Sequence, residues 1–213
     1  MSRDLSDLRR DYRQLPLREQ DMCADPFEQF RQWFDAAVDY GIEIPNAMVL
    51  ATATPDGAPG ARYVLLKDFD DGGFVFYTHS ISAKGRQLEA NPRAALVFYW
   101  QPLHRQVRIE GTVTPVSAQE ADAYFASRPY GSRVSVWVAP QSSVVASREA
   151  METRFEEISR QYPDEVPRPG TWTGYRVAPE RIEFWQGRED RMHDRMLYTR
   201  QGASAWRMER LAP

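Results

Sequence analysis

The chain has 213 residues, of which 42% are hydrophobic and 12% aromatic, and its 27 basic and 30 acidic residues give a formal charge of −3 at pH 7. This composition indicates a folded protein, and the lack of a basic excess argues against general binding of nucleic acid. The single cysteine excludes an internal disulfide framework, and with only three histidines we expect no metal site.

The N-terminal segment is too charged for a secretory signal, and no long apolar run follows it. We therefore expect a cytoplasmic protein with no membrane segment. Residues 1–24 are predicted to form a mobile arm, and residues 25–213 a single domain. Asp25 and Pro26 are typical of the first residues of a helix, which we expect to end at Gly41.

From residue 47 onward the pattern changes to short β-type segments that are separated by turn residues. Nine strands are predicted, at Met48–Ala53, Arg62–Lys67, Phe74–Thr78, Ala94–Trp100, Gln106–Val116, Gly174–Ala178, Arg181–Gln186, Asp194–Thr199 and Ala205–Leu211. Ser117 opens a capping box for a short helix, and a further helix is predicted around Ser147–Tyr162. The expected fold is mainly β with peripheral helices, arranged as a closed or nearly closed antiparallel barrel.

A cationic segment near the C-terminus is the most informative motif. If residues 191–195 are extended, Arg191, His193 and Arg195 share one face, because side chains alternate along a strand. Two guanidinium groups beside an imidazole repel one another unless an anion neutralises them. The segment is thus either an anion-binding site or a solvated edge strand with carboxylates nearby, and the pattern alone leaves both interpretations open.

A second cationic segment holds Arg62 and Lys67. Strict alternation places these two side chains on opposite faces of a strand, so they contact the same ligand atoms only if the strand bulges or ends there. The simpler interpretation is a core strand with charged ends. Residues 77–85 are predicted to be a strand that continues into a hydroxyl-rich loop ending in Lys-Gly, which suits a phosphate monoester but is also compatible with an ordinary loop.

A third segment carries Arg128 just before a proline that ends a helix, with Ser132 four residues later. This pairing is compatible with an oxyanion site, although a helix C-terminus attracts an arginine in any case. The chain has no nucleophile elbow and no obvious general-base dyad. Because these candidate sites are cationic and hydroxylic, we expect a cofactor to perform the difficult chemistry.

Ten motifs follow one another along essentially the whole chain: LRRDY, PNAMVLATA, RYVLLK, GFVFYT, the run from NPRAALVFYW to LHRQVRIEG, YFASRP, PQSS, IEFWQG, RMHDR and ERLAP. In this order they resemble the pyridoxamine 5′-phosphate oxidase family. The resemblance implies an antiparallel FMN-binding split β-barrel that acts as a homodimer, with FMN at the subunit interface.

The resemblance also implies site residues, position by position. The implied FMN contacts are Arg62, Tyr63, Val64, Leu65, Leu66, Lys67, Tyr77, Thr78, Lys84, Gln106, Gln141, Ser142, Trp185 and Arg195. The implied substrate contacts are Arg9, Arg10, Asp11, Tyr12, Lys67, Tyr124, Arg128, Ser132, Arg191, Met192 and His193. Arg191 and His193 are the implied catalytic residues, and Arg9–Tyr12 belong to an arm that closes over the ligand.

The implied reaction converts pyridoxamine 5′-phosphate or pyridoxine 5′-phosphate to pyridoxal 5′-phosphate. A hydride passes to FMN, and O2 is reduced to hydrogen peroxide. When the substrate is the amine, water hydrolyses the resulting imine and ammonia is released. One departure concerns the FMN phosphate loop, where many relatives have Ser-Arg-Lys and this chain has Ala83 in the middle position. A charge-assisted contact contributes about 1.5–3 kcal/mol, so we expect FMN to bind roughly tenfold more loosely unless Arg86 compensates.

Two alternatives remain beside this interpretation. His79 and the sequence SRPY resemble the related FMN oxidases of phenazine biosynthesis. The other alternative is a protein that binds FMN or pyridoxal phosphate without turnover. Lys67, Arg128 and Ser132 favour a phosphorylated substrate, since a phenazine precursor carries no phosphate for them to bind.

Overall fold

The structure is a computed structural model that describes residues 16–202 and 204–213. The predicted lid residues Arg9–Tyr12 lie outside these ranges. The chain divides into two compact units. Among the described residues, the first unit comprises 16–49, Ala95–Glu110 and Pro179–Pro213, and the second comprises Leu50–Ala94 and Gly111–Ala178.

The helices of the described residues are short. They are α1 (Pro26–Asp39), α2 (Ala83–Ala90), α3 (Ala118–Ser127), α4 (Tyr130–Val134) and α5 (Arg148–Gln161), with 3-10 turns at Glu19–Asp21, Gln101–Leu103, Ser135–Trp137 and Glu189–Arg191. Helices α1, α3 and α5 confirm the three predicted helices. Helices α2 and α4 were not predicted, because segments of eight and five residues are too short to show a clear helical period. No helix in these ranges is both long and apolar enough to cross a membrane.

The strands are β1 (Ala47–Ala53), β2 (Pro59–Leu65), β3 (Asp68–Asp70), β4 (Gly73–His79), β5 (Arg93–Trp100), β6 (Arg105–Pro115), β7 (Trp172–Gln186), β8 (Asp194–Gln201) and β9 (Ala205–Arg210). They pair in the order β2-β1-β5-β6-β7-β4-β3, while β8 pairs with β7 and β9 with β8. The pairs of β3 with β4, β4 with β7, β7 with β8 and β8 with β9 are antiparallel. The predicted antiparallel, mainly β fold is confirmed, and among these pairings the sheet does not close.

The two strands predicted on either side of Pro179 form one continuous strand, β7. Its first half pairs with β4 over residues Trp172 to Val177, and its second half pairs with β8 from Arg181 to Gln186. Pro179 lies between these two ladders, so its missing N–H breaks neither of them. The prediction of two strands, separated at residues 179–180, was therefore wrong. The three-residue strand β3 was missed because it is too short to show a pattern.

Helix α1 shows how the first unit forms its core. The side chain of Asp25 accepts a hydrogen bond of 2.8 Å from the N–H of Phe27, and Pro26 occupies the first turn. Phe27, Phe30, Trp33 and Ala37 recur at helical spacing and are buried. Gly41 has φ +83° immediately after the helix, a conformation in which glycine avoids the strain of a Cβ atom.

In the second unit, helices α3, α4 and α5 pack around one hydrophobic cluster. Its buried members are Phe125, Val134, Val136, Ile158, Val166 and Trp172. Tyr77 and Tyr124 are partly buried against the same cluster. Because Tyr77 belongs to β4 and Trp172 to β7, this cluster fixes the position of helix α3 beside the end of strand β4.

Candidate active site

The second unit contains a cavity of about 990 Å³. Four basic side chains line it, namely those of Arg62, Lys67, Lys84 and Arg128. No aspartate or glutamate belongs to its lining within the described parts of the chain. The chain has two lysines, and both are among these four residues. A cavity with this balance of charge attracts anions, and a dianion most strongly.

Arg62 and Lys67 reach the same cavity because strand β2 ends between them. Strand β2 ends at Leu65, so the alternation that would separate their side chains stops before Lys67. A strand that ends here is one of the two conditions under which both side chains were expected to contact the same ligand. The guanidinium of Arg62 donates to the carbonyl of Leu50 at 3.1 Å and to Oγ1 of Thr52 at 2.6 Å. Neutral partners therefore hold the Arg62 side chain, and no carboxylate in the described ranges pairs with its charge.

The segment after β4, which was predicted as a loop, contains the start of helix α2. Ser82 is its N-cap, and its Oγ accepts a hydrogen bond of 3.2 Å from the N–H of Gly85. A Cβ atom on Gly85 would lie 2.0 Å from the carbonyl oxygen of Ser80. Only glycine fits this tight turn, and the turn directs the neighbouring Lys84 side chain into the cavity.

Lys84 is a buried cation that contacts only neutral groups in the described structure. The residue is 8% exposed, and its Nζ donates to Oε1 of Gln141 at 2.8 Å and to Oγ1 of Thr78 at 3.1 Å. Burial, together with the charge of Arg62, lowers the pKa of Lys84 to about 8. A bound anion beside this ammonium would offset the unfavourable burial of its charge.

A stack of three aromatic rings forms one wall of the cavity. The ring centroids of Tyr77 and Tyr124 lie 4.0 Å apart, and those of Tyr77 and Trp172 lie 5.3 Å apart. The guanidinium of Arg128 lies 4.9 Å from the Trp172 ring, and Nζ of Lys67 lies 6.0 Å from the Tyr124 ring. Cation–π contacts thus hold two cations from different parts of the chain over the same wall.

Two buried polar atoms of this cavity lack a hydrogen-bond partner within residues 16–202 and 204–213. They are Nη1 of Arg128 and Nδ1 of His79, and both residues line the cavity. Buried polar atoms are normally paired, so an unpaired donor in a cationic cavity indicates a site for an anionic ligand. This observation, with the acid-free lining, fits the phosphate group of FMN and that of a second phosphorylated ligand.

The predicted site residues of the first unit lie on β6, β7, β8 and the segment between β7 and β8. Trp185 of β7 pairs in register with Arg195 of β8. The Arg195 guanidinium is fixed by a bidentate contact with Glu183, at 2.8 Å and 3.2 Å, and Glu183 also contacts Arg108 at 2.9 Å. Glu183 is 3% exposed, and its hydrogen bond raises the pKa of Arg195. This carboxylate was not predicted from the sequence, although Glu183 precedes Trp185 on the same face of the strand.

The cationic segment at residues 191–195 is not extended throughout, so the condition under which Arg191, His193 and Arg195 would share one face is not met. Residues Glu189–Arg191 form a 3-10 turn, and strand β8 begins only at Asp194. Arg191 has φ +61°, which prevents the regular alternation of a strand. The side chains of Arg191, His193 and Arg195 are therefore not related by strand geometry.

His193 is held in one orientation. Its Nδ1 accepts a hydrogen bond of 3.0 Å from the N–H of Arg188, and its ring centroid lies 4.7 Å from that of Trp185. Burial and the charge of Arg191 lower the pKa of His193, so the imidazole is neutral at pH 7. With Nδ1 accepting, the proton resides on Nε2, and His193 presents a hydrogen-bond donor.

The structure brings together most of the predicted residues of the second unit. The cavity is lined by Arg62, Tyr63, Val64, Leu65, Lys67, Tyr77, Thr78, Lys84, Tyr124, Arg128, Ser132, Gln141 and Ser142. Leu66 does not line it, because its side chain is buried in the core. The residues Gln106, Trp185, Arg191, Met192, His193 and Arg195 belong to the first unit and do not line it.

Several lining residues were not predicted as part of the site, and His79 and Trp172 are the two that bear on its chemistry. Trp172 begins strand β7, and its Cα partner in the register is His79, the last residue of β4. His79 could have been predicted from its position, because it directly follows the predicted site residue Thr78 at the end of a strand. For Trp172 the only signal was its aromatic character, which is more often a sign of core packing.

Comparison with known proteins identifies the family in two matches. Residues 34–162 match the model described as pyridoxamine 5′-phosphate oxidase. Residues 172–213 match the model described as the C-terminal dimerisation region of pyridoxine 5′-phosphate oxidase. The first match covers more than half of the chain, and it contains every residue of the cavity except Trp172.

Full-length relatives agree with these matches. A protein of Rubrobacter xylanophilus named pyridoxine/pyridoxamine 5′-phosphate oxidase is 56% identical over 212 residues, which cover 99% of this chain and 97% of that protein. A protein of the same name from Gloeothece citriformis is 54% identical over 214 residues and covers 100% of both chains.

Solved structures give the same fold. PhzG from Burkholderia lata, in complex with tetrahydrophenazine-1-carboxylic acid, has a TM-score of 0.89 and 31% identity, covering 95% of this chain and 100% of that chain. A pyridoxamine 5′-phosphate oxidase-related, FMN-binding protein from Nostoc punctiforme has a TM-score of 0.73 and 20% identity, covering 90% and 100%. The fold shared with these two structures confirms the predicted architecture. The chain belongs to the pyridoxamine 5′-phosphate oxidase family.

Proposed function

We propose that the protein is an FMN-dependent oxidase that converts pyridoxamine 5′-phosphate or pyridoxine 5′-phosphate to pyridoxal 5′-phosphate. The observation that carries this proposal is the acid-free cavity lined by Arg62, Lys67, Lys84 and Arg128. Two phosphate monoesters bring up to four negative charges into one space, and four cations are the complement that they require. The names of the full-length relatives support the same reaction.

The FMN phosphate is proposed to bind at Lys84, Thr78 and Arg62. When FMN is bound, it accepts the hydride that leaves C4′ of the substrate, and O2 reoxidises it with release of hydrogen peroxide. The buried ammonium of Lys84 and the hydroxyl of Thr78 lie 3.1 Å apart, so both reach one phosphate group. Gln141 now accepts from both of them, at 2.8 Å and 2.9 Å, and its amide would share or yield this position.

The missing cation at Ala83 is not replaced in the described part of the chain. Arg86 is exposed, does not line the cavity, and donates to the carbonyl of Ile81. The N–H of Ala83 donates to Oγ of Ser142 at 3.3 Å. We therefore propose that Lys84 and Arg62 carry most of the attraction for the FMN phosphate in this protein.

The substrate phosphate is proposed to bind at Lys67, Tyr124, Arg128 and Ser132. Lys67 and Arg128 lie over the wall of Tyr124 and Trp172, and Nη1 of Arg128 is buried without a partner among the described residues. Binding of a phosphate oxygen to this Nη1 would satisfy it. These contacts fix the substrate and hold its C4′ carbon in one orientation, which is the main contribution of the protein to the rate.

The first-unit residues are proposed to complete the site in a homodimer, with FMN at the subunit interface. The match of residues 172–213 to a dimerisation region supports the dimer. Arg191 and His193 would hold the substrate ring, with the Nε2–H of His193 as a hydrogen-bond donor. Gln106, Trp185 and Arg195 would contact FMN, and Glu183 would keep the Arg195 guanidinium oriented.

The experiment that tests this function is peroxide release by the FMN-loaded protein. On addition of pyridoxamine 5′-phosphate in air, we expect hydrogen peroxide and pyridoxal 5′-phosphate to form in equal amounts. Unphosphorylated pyridoxamine at the same concentration serves as the matched control and should react far more slowly, since Lys67 and Arg128 then have no phosphate to bind.

Other outcomes separate the alternatives. Tight binding of pyridoxamine 5′-phosphate with no peroxide would contradict the oxidase and leave a binding protein. Absence of any reaction with either B6 phosphate, together with oxidation of a dihydrophenazine carboxylic acid, would move the assignment to the reaction class of the PhzG relative.

A further inference from the structure

We infer that His79 is an additional ligand of the phosphate that Lys84 binds, and that its imidazole takes up a proton when this phosphate arrives. The inference rests on the proposed function, because it assumes that Lys84 holds the phosphate of FMN. It adds a residue that none of the sequence motifs assigned to the site, and it gives FMN binding a dependence on pH.

The position of His79 ties it to the same turn as Lys84. It is the last residue of β4, and its carbonyl accepts hydrogen bonds from the N–H of Ser82 at 3.1 Å and from the Oγ of Ser82 at 2.7 Å. Ser82 in turn caps α2, the helix that carries Lys84 in its first turn. The backbone of His79 is therefore fixed relative to the proposed phosphate site.

The side chain of His79 is placed to bind a ligand of the cavity. It lines the cavity although it is only 8% exposed, and its Nδ1 is buried with no hydrogen-bond partner in the part of the chain that the structure describes. An imidazole that only filled core space would be expected to find a partner for this atom. An oxygen of a bound phosphate would supply one.

The charges around His79 make it neutral before the phosphate binds. From α2, Lys84 faces it, and from the end of α3, Arg128 faces it, while its register partner Trp172 on β7 carries no charge. Burial and these two cations lower the pKa of His79 below its usual value. A phosphate dianion reverses the local charge balance and stabilises the imidazolium, so His79 gains a proton near neutral pH.

The test is calorimetric titration of FMN into the apoprotein at about pH 7, in two buffers of different ionisation enthalpy, which counts the protons taken up. The test variant is His79→Asn, which keeps a polar side chain that does not titrate. His104→Asn is the matched control, because His104 does not line the cavity and its left-handed backbone, φ 49°, is one that asparagine tolerates. Riboflavin, which lacks the phosphate, is the ligand control.

On binding FMN, we expect the wild-type protein and His104→Asn to gain as much as about one proton more than His79→Asn does. Riboflavin should show no difference between the proteins. The FMN phosphate also titrates near pH 6, but its contribution cancels in the comparison of variants. Between about pH 6 and 7.5 the ratio of the FMN Kd of the wild type to that of His79→Asn should rise roughly tenfold. Lys84 titrates at higher pH, around its own pKa of about 8.

Equal proton uptake by the wild type and His79→Asn would overturn the inference while leaving the proposed function intact. So would proton uptake that appears only when pyridoxal 5′-phosphate binds to the FMN-loaded protein, because it would place His79 at the other phosphate. Failure of the wild type to bind FMN at all would overturn both. If His79→Asn does not fold, His79→Gln, which is larger and equally unable to titrate, takes its place under the same expectations.

Discussion

Lys84 is a buried ammonium whose hydrogen-bond acceptors are all neutral in the described structure. Its pKa of about 8 lies below the ordinary lysine value of 10.5, so the folded apoprotein binds this proton more weakly than the unfolded chain does. The resulting destabilisation is full below about pH 8 and is relieved as the pH rises toward 10.5. A bound phosphate also reduces this destabilisation, because its negative charge stabilises the buried ammonium.

Lys84→Met should therefore make the apoprotein more stable at pH 7, because it removes a buried charge whose described partners are all neutral. It should also flatten the rise in stability between about pH 8 and 10 and abolish tight FMN binding. Urea unfolding of both apoproteins at several pH values measures this. An equal pH dependence in the two proteins would show that Lys84 is not buried in its charged form.

Lys67→Ala and Arg128→Ala are expected to raise the KM for pyridoxamine 5′-phosphate while the flavin stays bound. Loss of one charge-assisted contact contributes about 1.5–3 kcal/mol, which corresponds to a KM roughly ten- to a hundredfold higher. Steady-state kinetics and the flavin absorbance of the purified variants provide the measurement. A colourless variant would mean that these residues bind FMN, and that the division between the two phosphates is wrong.

At the scale of elements, strand β4 and strand β7 shape the aromatic wall through one glycine. Gly174 is the register partner of Tyr77, and a Cβ atom on Gly174 would lie 2.6 Å from the Tyr77 ring. The absence of a side chain at Gly174 leaves the ring room to stack on Tyr124 and Trp172.

Gly174→Ala should displace the Tyr77 ring, at a cost of about 1–3 kcal/mol in the free energy of unfolding. The wall that supports Arg128 would shift with it, so the KM for the phosphorylated substrate should rise as well. Gly170→Ala is the matched control, because a Cβ atom there meets no other atom within 4 Å. Wild-type stability and kinetics in Gly174→Ala would show that the wall does not depend on this contact.

The element predictions succeeded where the chain has a clear period and failed where local backbone geometry decides. The aromatic spacing of α1 and the alternation of the longer strands were sufficient to find them. Helix α2 was missed because its cap and Gly85 form a turn that resembles a loop in sequence. The turn at Arg191 was not predicted, because a positive φ at a non-glycine residue leaves no pattern in the sequence.

At the scale of the whole molecule, the proposed site residues fall into two sets. One set lines the cavity of the second unit, and the other lies on β6, β7, β8 and the turn before β8 in the first unit. The resemblance implies both sets through ordered motifs, but no motif indicates distances. The partners Glu183 and His79, which the motifs did not assign, became visible only through the contacts of folded strands.

Mixed dimers test whether the two sets come from different subunits. At substrate concentrations well below the wild-type KM, Arg128→Ala and Arg191→Ala are each expected to retain only a small fraction of the wild-type activity alone. A heterodimer of the two, isolated with different affinity tags, should recover about half of the wild-type activity, because one of its two sites has both arginines. No recovery in the heterodimer would mean that both arginines of a site belong to one subunit.

The central claim is that the cavity binds two phosphate monoesters side by side. A crystal structure of the protein with FMN and pyridoxal 5′-phosphate tests it most directly. We predict the FMN phosphate at Lys84 and Thr78, and the second phosphate at Lys67 and Arg128, with the two ring systems stacked. Phosphate density elsewhere, with these side chains turned to solvent, would contradict the account.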